Sequence, residues 1–250
     1  WLSQKYVARK KIGDYIYKAA IELKEQRIKI KSLLDYIGWT YIELGSYQLG
    51  IENIKRGLKL SIDSSNIYYE AKAYRHLFGL YWRKGDDSNA QKYLDLAIKK
   101  TNDIDNGWDK SEALAEINYA TSLQLLGQKE FEKALVNVKK AEIHYSTLDV
   151  NEWLIKIRLL KAEILINIGE NSLFEAEEII IDCRKKSINS SFNKMYVRSL
   201  IVFSKFHYAK HNHKNARKNL FEAKKLSSQI GMFFENKIIE KEINKLPDEV

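Results

Sequence analysis

The strongest constraint on this chain is a period. Gly45, Gly85, Gly127 and Gly169 stand 40, 42 and 42 residues apart, and His211 follows 42 residues after the last. A few residues beyond each comes a small residue: Gly50, Ala90, Ala134, Ala176 and Ala216. Seven residues after each of these lies another: Gly57, Ala97, Ala141, Cys183 and Ala223. Self-similarity at such a period marks an array of supersecondary units rather than one globular core. Seven residues are two helical turns, so each small pair shares one helix face and lets a neighbouring helix come close. Ile54, Leu94, Val138, Ile180 and Leu220 fall inside these pairs, four residues after the first member, and complete an apolar stripe.

A second amphipathic stretch precedes each turn. It contains Leu34, Ile37, Tyr41 and Leu44 in the first unit, and Tyr74, Leu77, Phe78 and Tyr81 in the second. Leu114, Ile117, Ala120, Leu123 and Leu126 follow in the third, Ala162, Leu165 and Ile168 in the fourth, and Leu200, Phe203, Ser204 and His207 in the fifth. The recurrent glycine is predicted to close this helix in a left-handed conformation. Each unit is therefore helix, tight turn, helix, with boundaries at 31–70, 71–110, 111–154, 155–196 and 197–230. Residues 1–30 read as a degenerate preceding unit, with Gly13-Asp14-Tyr15 as its turn and no small pair. Residues 231–250 read as a capping helix built on Phe234, Ile238, Ile239, Ile243 and Leu246 and stopped by Pro247. Asp109-Lys-Ser-Glu112 reads as a capping box. Asp149 or Asn151 is expected to start the fourth unit, and Ser190 or Ser191 the fifth.

Composition agrees. One proline and 11 glycines in 250 residues are too few for the turns of a β sandwich or barrel, and 12% aromatic residues argue against disorder. Cys183 is the sole cysteine, so neither an intrachain disulfide nor a cysteine-based zinc site can form. That fits a reducing, cytoplasmic setting. No apolar run approaches the length of a membrane span, and the early charges Lys5, Arg9, Lys10 and Lys11 do not read as a signal peptide. A start at Trp1 rather than Met suggests a piece of a longer polypeptide. The net charge of +9 admits nucleic acid, an anionic membrane or an acidic protein as partner.

In detail the units resemble the tetratricopeptide repeat (TPR). Ile37-Gly38, Tyr41, Gly45, Tyr47, Gly50 and Gly57 carry the likeness in the first unit, and Tyr74, Leu77, Tyr81, Gly85-Asp86, Ala90 and Ala97 in the second. The third keeps Gly127, Phe131, Ala134 and Ala141 with two extra residues in its turn. The fourth has Gly169, Ala176 and Cys183, and the fifth has His211 where glycine is usual. The long period is similar to that of TPR arms in bacterial signal-transducing ATPases and peptide-sensing regulators. The resemblance implies an all-α, right-handed superhelical solenoid forming one domain. It implies a non-catalytic, cofactor-free scaffold or sensor arm inside a larger bacterial regulatory protein, taking a protein or peptide in a concave groove. Groove-facing positions carried across are Asp35, Trp39 and Ile42, then Lys72, Arg75, Trp82 and Arg83. Thr121 and Gln124 follow in the third unit, Lys156, Glu163 and Asn167 in the fourth, and Arg198, Lys205 and Tyr208 in the fifth. Trp39 and Trp82 lie off the core stripe beside arginines and are the expected main contacts. Packing against the adjacent unit is the alternative for each. Asp35 and Trp39 occupy two positions where chaperone-binding members carry a Lys and Asn clamp, a departure from that pattern.

Other patterns resolve into the repeat. Gly45 and Gly50 have phosphate-loop spacing, but Ile51-Glu52 stand where Lys-Ser/Thr is needed. His207, His211 and His213 have lysine and arginine neighbours rather than further ligands. The run from Asp103 to Asp109 places its glycine one position early for a calcium loop. No nucleophile–base pair or paired carboxylate stands out, so no catalytic or metal centre is expected. Lys99-Lys100, Lys139-Lys140, Lys185-Lys186 and Lys224-Lys225 fall toward the ends of second helices. They complement helix dipoles there, or line a basic edge for an acidic partner or, as the alternative function, for nucleic acid.

Overall fold

The structure, a computed structural model, describes residues 3–148 and 151–247. Trp1 and Asp149, which figure in the expectations above, lie outside them. Among the described residues there are helices and no strands. Helix α1 covers Ser3–Glu22. Helix α2 winds as an α-helix over Gln26–Lys31 and Trp39–Glu43 and as a π-helix over Ser32–Gly38. Then follow α3 (Tyr47–Asp63), α4 (Ile67–Lys84), α5 (Asp87–Asn102) and α6 (Trp108–Gly127). The remainder is α7 (Phe131–Ser146), α8 (Asn151–Ile168), α9 (Leu173–Asn189), α10 (Asn193–Ala209), α11 (His213–Ile230) and α12 (Phe233–Ile243).

The chain divides into two compact units, one ending at Ala120 and one beginning at Thr121. In the first, α1 packs on α2, α2 on α3, α3 on α4 and α4 on α5. In the second, α7 to α12 likewise pack in chain order. First helices of consecutive hairpins also touch, α2 with α4 in the first unit and α8 with α10 in the second. This is the packing of an α-helical repeat.

The small residues do what their spacing implies. All ten are buried, and Ile54, Leu94, Val138, Ile180 and Leu220 between them are at most 2% exposed. A Cβ on Gly57 would lie 2.6 Å from Leu34 Cδ2, and one on Gly50 would lie 2.9 Å from Ile42 Cγ1. Here α3 sits against α2 too closely for any side chain.

The turns follow the expectation only in part. Gly45 and Gly85 are left-handed, with φ of 76° and 75°, and so is His211 at 55°. Gly127 is not. It is the last helical residue of α6, and Lys129, at φ 63°, makes the turn. The two extra residues of the third unit therefore lengthen its first helix rather than its turn. Gly169 is extended past the left-handed region, at φ 126°, and leads into a short 3-10 turn, Glu170–Ser172. A second series of positive-φ residues, Lys24, Ser65, Gly107, Ser191 and Gly231, separates one hairpin from the next. It went unread because most of its members are not glycine.

Residues 1–30 also need correction. Gly13 lies in the middle of α1, not in a turn, and a Cβ there would lie 2.7 Å from Tyr36 Cβ. Ala20, seven residues on, is 2% exposed. Gly13 and Ala20 are thus a small pair, and α1 has the character of a second helix packed on α2. The predicted capping box does not operate. Asp109 is already helical and its carboxylate accepts from Arg27, while Glu112 accepts from Tyr68. Working N-caps are Asn66, Asp86 and Asn212, whose side chains accept from the backbone N–H three residues on. The fifth unit opens after Phe192 rather than at Ser190 or Ser191.

Two glycine substitutions separate these readings. Gly127→Ala is expected to raise stability by about 0.5–1 kcal/mol, because the site is helical with open space around it. Gly13→Ala is expected to lower it by about 1–3 kcal/mol through overpacking on Tyr36. Urea midpoints of the two variants against the parent chain measure both.

Candidate functional site

Seven residues of α4 lie along one face, at 68, 72, 75, 76, 79, 82 and 83. They face Asp35 and Trp39 from α2, and Glu112 and Glu116 from α6. Lys72 Nζ is 3.5 Å from Asp35 Oδ2 and 3.8 Å from Glu112 Oε1, and it donates to the Tyr68 hydroxyl at 3.2 Å. The Tyr68 hydroxyl donates in turn to the Glu112 carboxylate. Arg75 Nε is 2.6 Å from Glu116 Oε2, and the Glu116 side chain is only 4% exposed. These are desolvated pairs, not surface ornaments.

His76 shares the network. Its Nε2 is 2.9 Å from Asp35 Oδ1. Burial, with the Arg75 charge beside it, pushes the imidazole down to about 4. At neutral pH it is therefore uncharged. The acceptor Asp35 fixes the proton on Nε2, which leaves the buried Nδ1 lone pair without a partner. For Asp35, burial would raise the carboxyl, but Lys72, the His76 hydrogen bond and Arg75 together hold it well below the usual range. Burial would likewise lower Lys72, yet Asp35, Glu116, Tyr68 and Glu112 keep it firmly protonated.

Beside the network is an aromatic pair. The Trp39 ring lies 5.0 Å from the His76 ring, and its Nε1 donates to Glu43 at 3.2 Å. The Arg83 guanidinium sits 4.9 Å over its face. Gly79 makes this fit possible, since a Cβ there would come within 3.2 Å of the indole. Trp39 is thus half-buried rather than off the packing altogether. Trp82 is also half-buried, packed against the cluster of Phe78, Ala90, Leu94, Ala97, Ile117 and Ala120. For both indoles the alternative of packing against neighbouring helices is the one seen. Each packs against its neighbours and keeps part of its surface open.

The second unit repeats the pairing. Lys205 on α10 bonds Glu163 on α8 and lies 4.0 Å from Glu242 on α12. Arg198 clasps Glu235 through Nε at 3.1 Å and Nη2 at 2.6 Å. Asn167 is exposed and donates to the Glu163 carbonyl of its own helix at 2.8 Å. Tyr208 is 45% exposed, 5.4 Å from the His213 ring, and Gln124 is half-buried. Of the sequence-derived set, Asp35, Lys72, Arg75 and Lys205 are therefore engaged between helices, and Trp39 and Arg83 engage each other.

Sequence reasoning missed His76, Gly79, Glu112 and Glu116. A signal for the carboxylates was present. The helix-to-helix partners His76–Asp35, Tyr68–Glu112, Glu163–Lys205 and Arg198–Glu235 are 41, 44, 42 and 37 residues apart, close to one period.

Burial pushes the Cys183 thiol up to about 12, so no thiolate forms near neutrality. Among the described residues no three His, Cys, Asp or Glu side chains gather to hold a metal. His207 lies 4.5 Å from Phe203 and His211 is in the turn. Three of the lysine doublets are half neutralised, Lys100 by Glu70, Lys186 by Asp182 and Lys224 by Glu240. No helix of the described residues is long and apolar enough to cross a membrane. In comparisons with known proteins, no protein-family model matches the chain and no curated protein matches its sequence.

Two measurements probe the network. Because the folded state holds His76 at about 4 while an unfolded histidine titrates near 6.5, the unfolded chain takes up the proton first as pH falls. His76 is thus expected to withdraw about 3 kcal/mol of stability between pH 6.5 and 4. His76→Gln should flatten that part of a urea-midpoint profile. Arg75→Leu strands the buried Glu116 charge and should cost about 3–5 kcal/mol, and Arg75→Leu with Glu116→Leu should recover most of it.

Proposed function

We propose that this chain is a non-catalytic binding module: a right-handed, TPR-like solenoid acting as a scaffold or sensor arm within a larger, cytoplasmic bacterial regulatory protein. Its ligand would be a segment of a protein partner held against the first-helix face. The observation that carries this reading is the Trp39–Arg83 stack. The neighbouring ions satisfy one another, so Lys72 and Arg75 are committed to internal carboxylates. The contact offered to a ligand is a half-open indole with a guanidinium stacked on its face. Such a platform suits a segment that offers an apolar side chain to the ring and a carboxylate to Arg83.

Nucleic-acid binding is the second reading. It is favoured by Lys99, Lys139, Lys140, Lys185 and Lys225, which have no ion-pair partner among the described residues. The neutralised members of the same doublets weaken it.

The test selects peptide ligands from a random displayed library on the immobilised chain, then measures them against variants. Trp39→Ala with Arg83→Ala should weaken a selected peptide about tenfold or more. Undiminished binding by that double variant would refute the groove assignment. Binding of duplex DNA or single-stranded RNA at about 50 mM salt, falling steeply as salt rises, would favour the second reading.

A further inference from the structure

Helix α9, in the second unit, has large apolar side chains on both of its faces. Ala176, Ile180 and Cys183 are buried on one, while Phe174, Ile181 and Ile188 on the other are 73%, 53% and 56% exposed. The exposed three are spaced by seven, so they form one line of roughly 21 Å along the helix. Glu178 and Lys185, both exposed, fall between them. The order 174, 178, 181, 185, 188 alternates steps of four and three. That is the seam of a two-helix coil, apolar at one seam position and charged at the other. The whole helix is charged in the same sense. Glu175, Glu177 and Glu178 stand in its first half, and Arg184, Lys185 and Lys186 in its second, with Asp182 between. The helix dipole favours acids early and bases late. It does not account for three large apolar side chains left in one line in water.

We propose that α9 is the two-fold interface of a homodimer, packed antiparallel on α9 of a second copy. The seam reads apolar, charged, apolar, charged, apolar in both directions, and reversal exchanges the signs of the two charges. About a two-fold axis at Ile181, Phe174 of one copy meets Ile188 of the other, and Ile181 meets its own counterpart. Lys185 comes level with Glu177 of the other copy and about 1.5 Å, one residue rise, from the level of Glu178. Arg184 comes level with Glu178, and the symmetry makes each contact twice. Asp182 lies near the axis, where Arg158 and Lys186 of its own chain already meet its charge. Parallel packing would set Glu178 on Glu178 and Lys185 on Lys185, so charge fixes the direction. A second copy is the one occupant whose order of residues is known, and that order is complementary. A bilayer would have to take Glu178 and Lys185 into the apolar line. Lys218 and Lys225 on α11, the next second helix, are exposed and would lie over their own counterparts. That confines close contact to α9 and sets the dissociation constant on the order of 10 μM. The surface is separate from Trp39 and Arg83.

Sedimentation equilibrium of the full chain tests this between about 1 and 200 μM. The weight-average mass should rise with concentration from that of one chain toward that of two. Phe174→Ser with Ile181→Ser should weaken association about tenfold or more, with circular dichroism unchanged. Glu178→Lys alone and Lys185→Glu alone should each weaken it too, since each sets like charges across the seam. The decisive sample is an equimolar mixture of those two single variants. Each then supplies the charge that the other lacks, and the mixture should associate at least as well as the parent chain. Trp39→Ala should leave the mass profile alone, which separates this interface from the groove. One chain mass at every concentration, association untouched by the α9 variants, or a mixture no better than its components would overturn the proposal. So would variant-sensitive adsorption to phosphatidylcholine–phosphatidylserine vesicles by a chain that stays monomeric.

Discussion

The fold rests on close approach between helices, set by two small residues seven apart. Where Gly50 and Gly57 stand, α3 lies so near α2 that a methyl group would collide with Ile42 and Leu34. Gly13 plays the same part for α1. Neither helix of such a pair buries its apolar face alone, so a hairpin is stable only through its neighbours. The same spacing fixes where the next first helix must lie. Positions one period apart are thereby brought face to face.

Charge exploits that geometry. Asp35 meets Lys72 and His76, Arg75 meets Glu116, and Glu163 meets Lys205, each across adjacent first helices. Buried pairs of this kind give little net stability over apolar replacements, because desolvation offsets their attraction. What they confer is register. A slip of one residue turns a helix by roughly 100° and would leave each ion buried without its counterion. A strongly basic chain thus keeps much of its first-helix charge internally matched. Among the described residues, lysines without a carboxylate partner include Lys99, Lys139, Lys140, Lys185 and Lys225 on second helices.

The helical hairpins and their packing stripes were legible because they depend on residue size at fixed intervals, which composition cannot disguise. The Gly50–Gly57 to Ala216–Ala223 pairs needed no third dimension. Gly13 was misread because a glycine can serve either a turn or a contact, and only the neighbour Tyr36 decides between them. Gly127 was misread for a related reason, since two inserted residues can extend a helix as easily as a loop. The site was legible by position but not by role. Lys72 and Arg75 were located on the first helix of their unit, yet their partners Glu112 and Glu116 lie a full period away. Trp39 could be located, but the seat that Gly79 gives it could not.

The non-glycine turns carry one more consequence. Lys24, Ser65, Lys129, Ser191 and His211 hold left-handed backbone that glycine would adopt without penalty, at a cost of roughly 1 kcal/mol each. The chain's poverty in glycine is therefore stored as conformational tension at its corners, while its helices stay regular. Such an array has built-in points of compliance. Three of these points, Lys24, Ser65 and Ser191, lie between hairpins, and two, Lys129 and His211, lie within them.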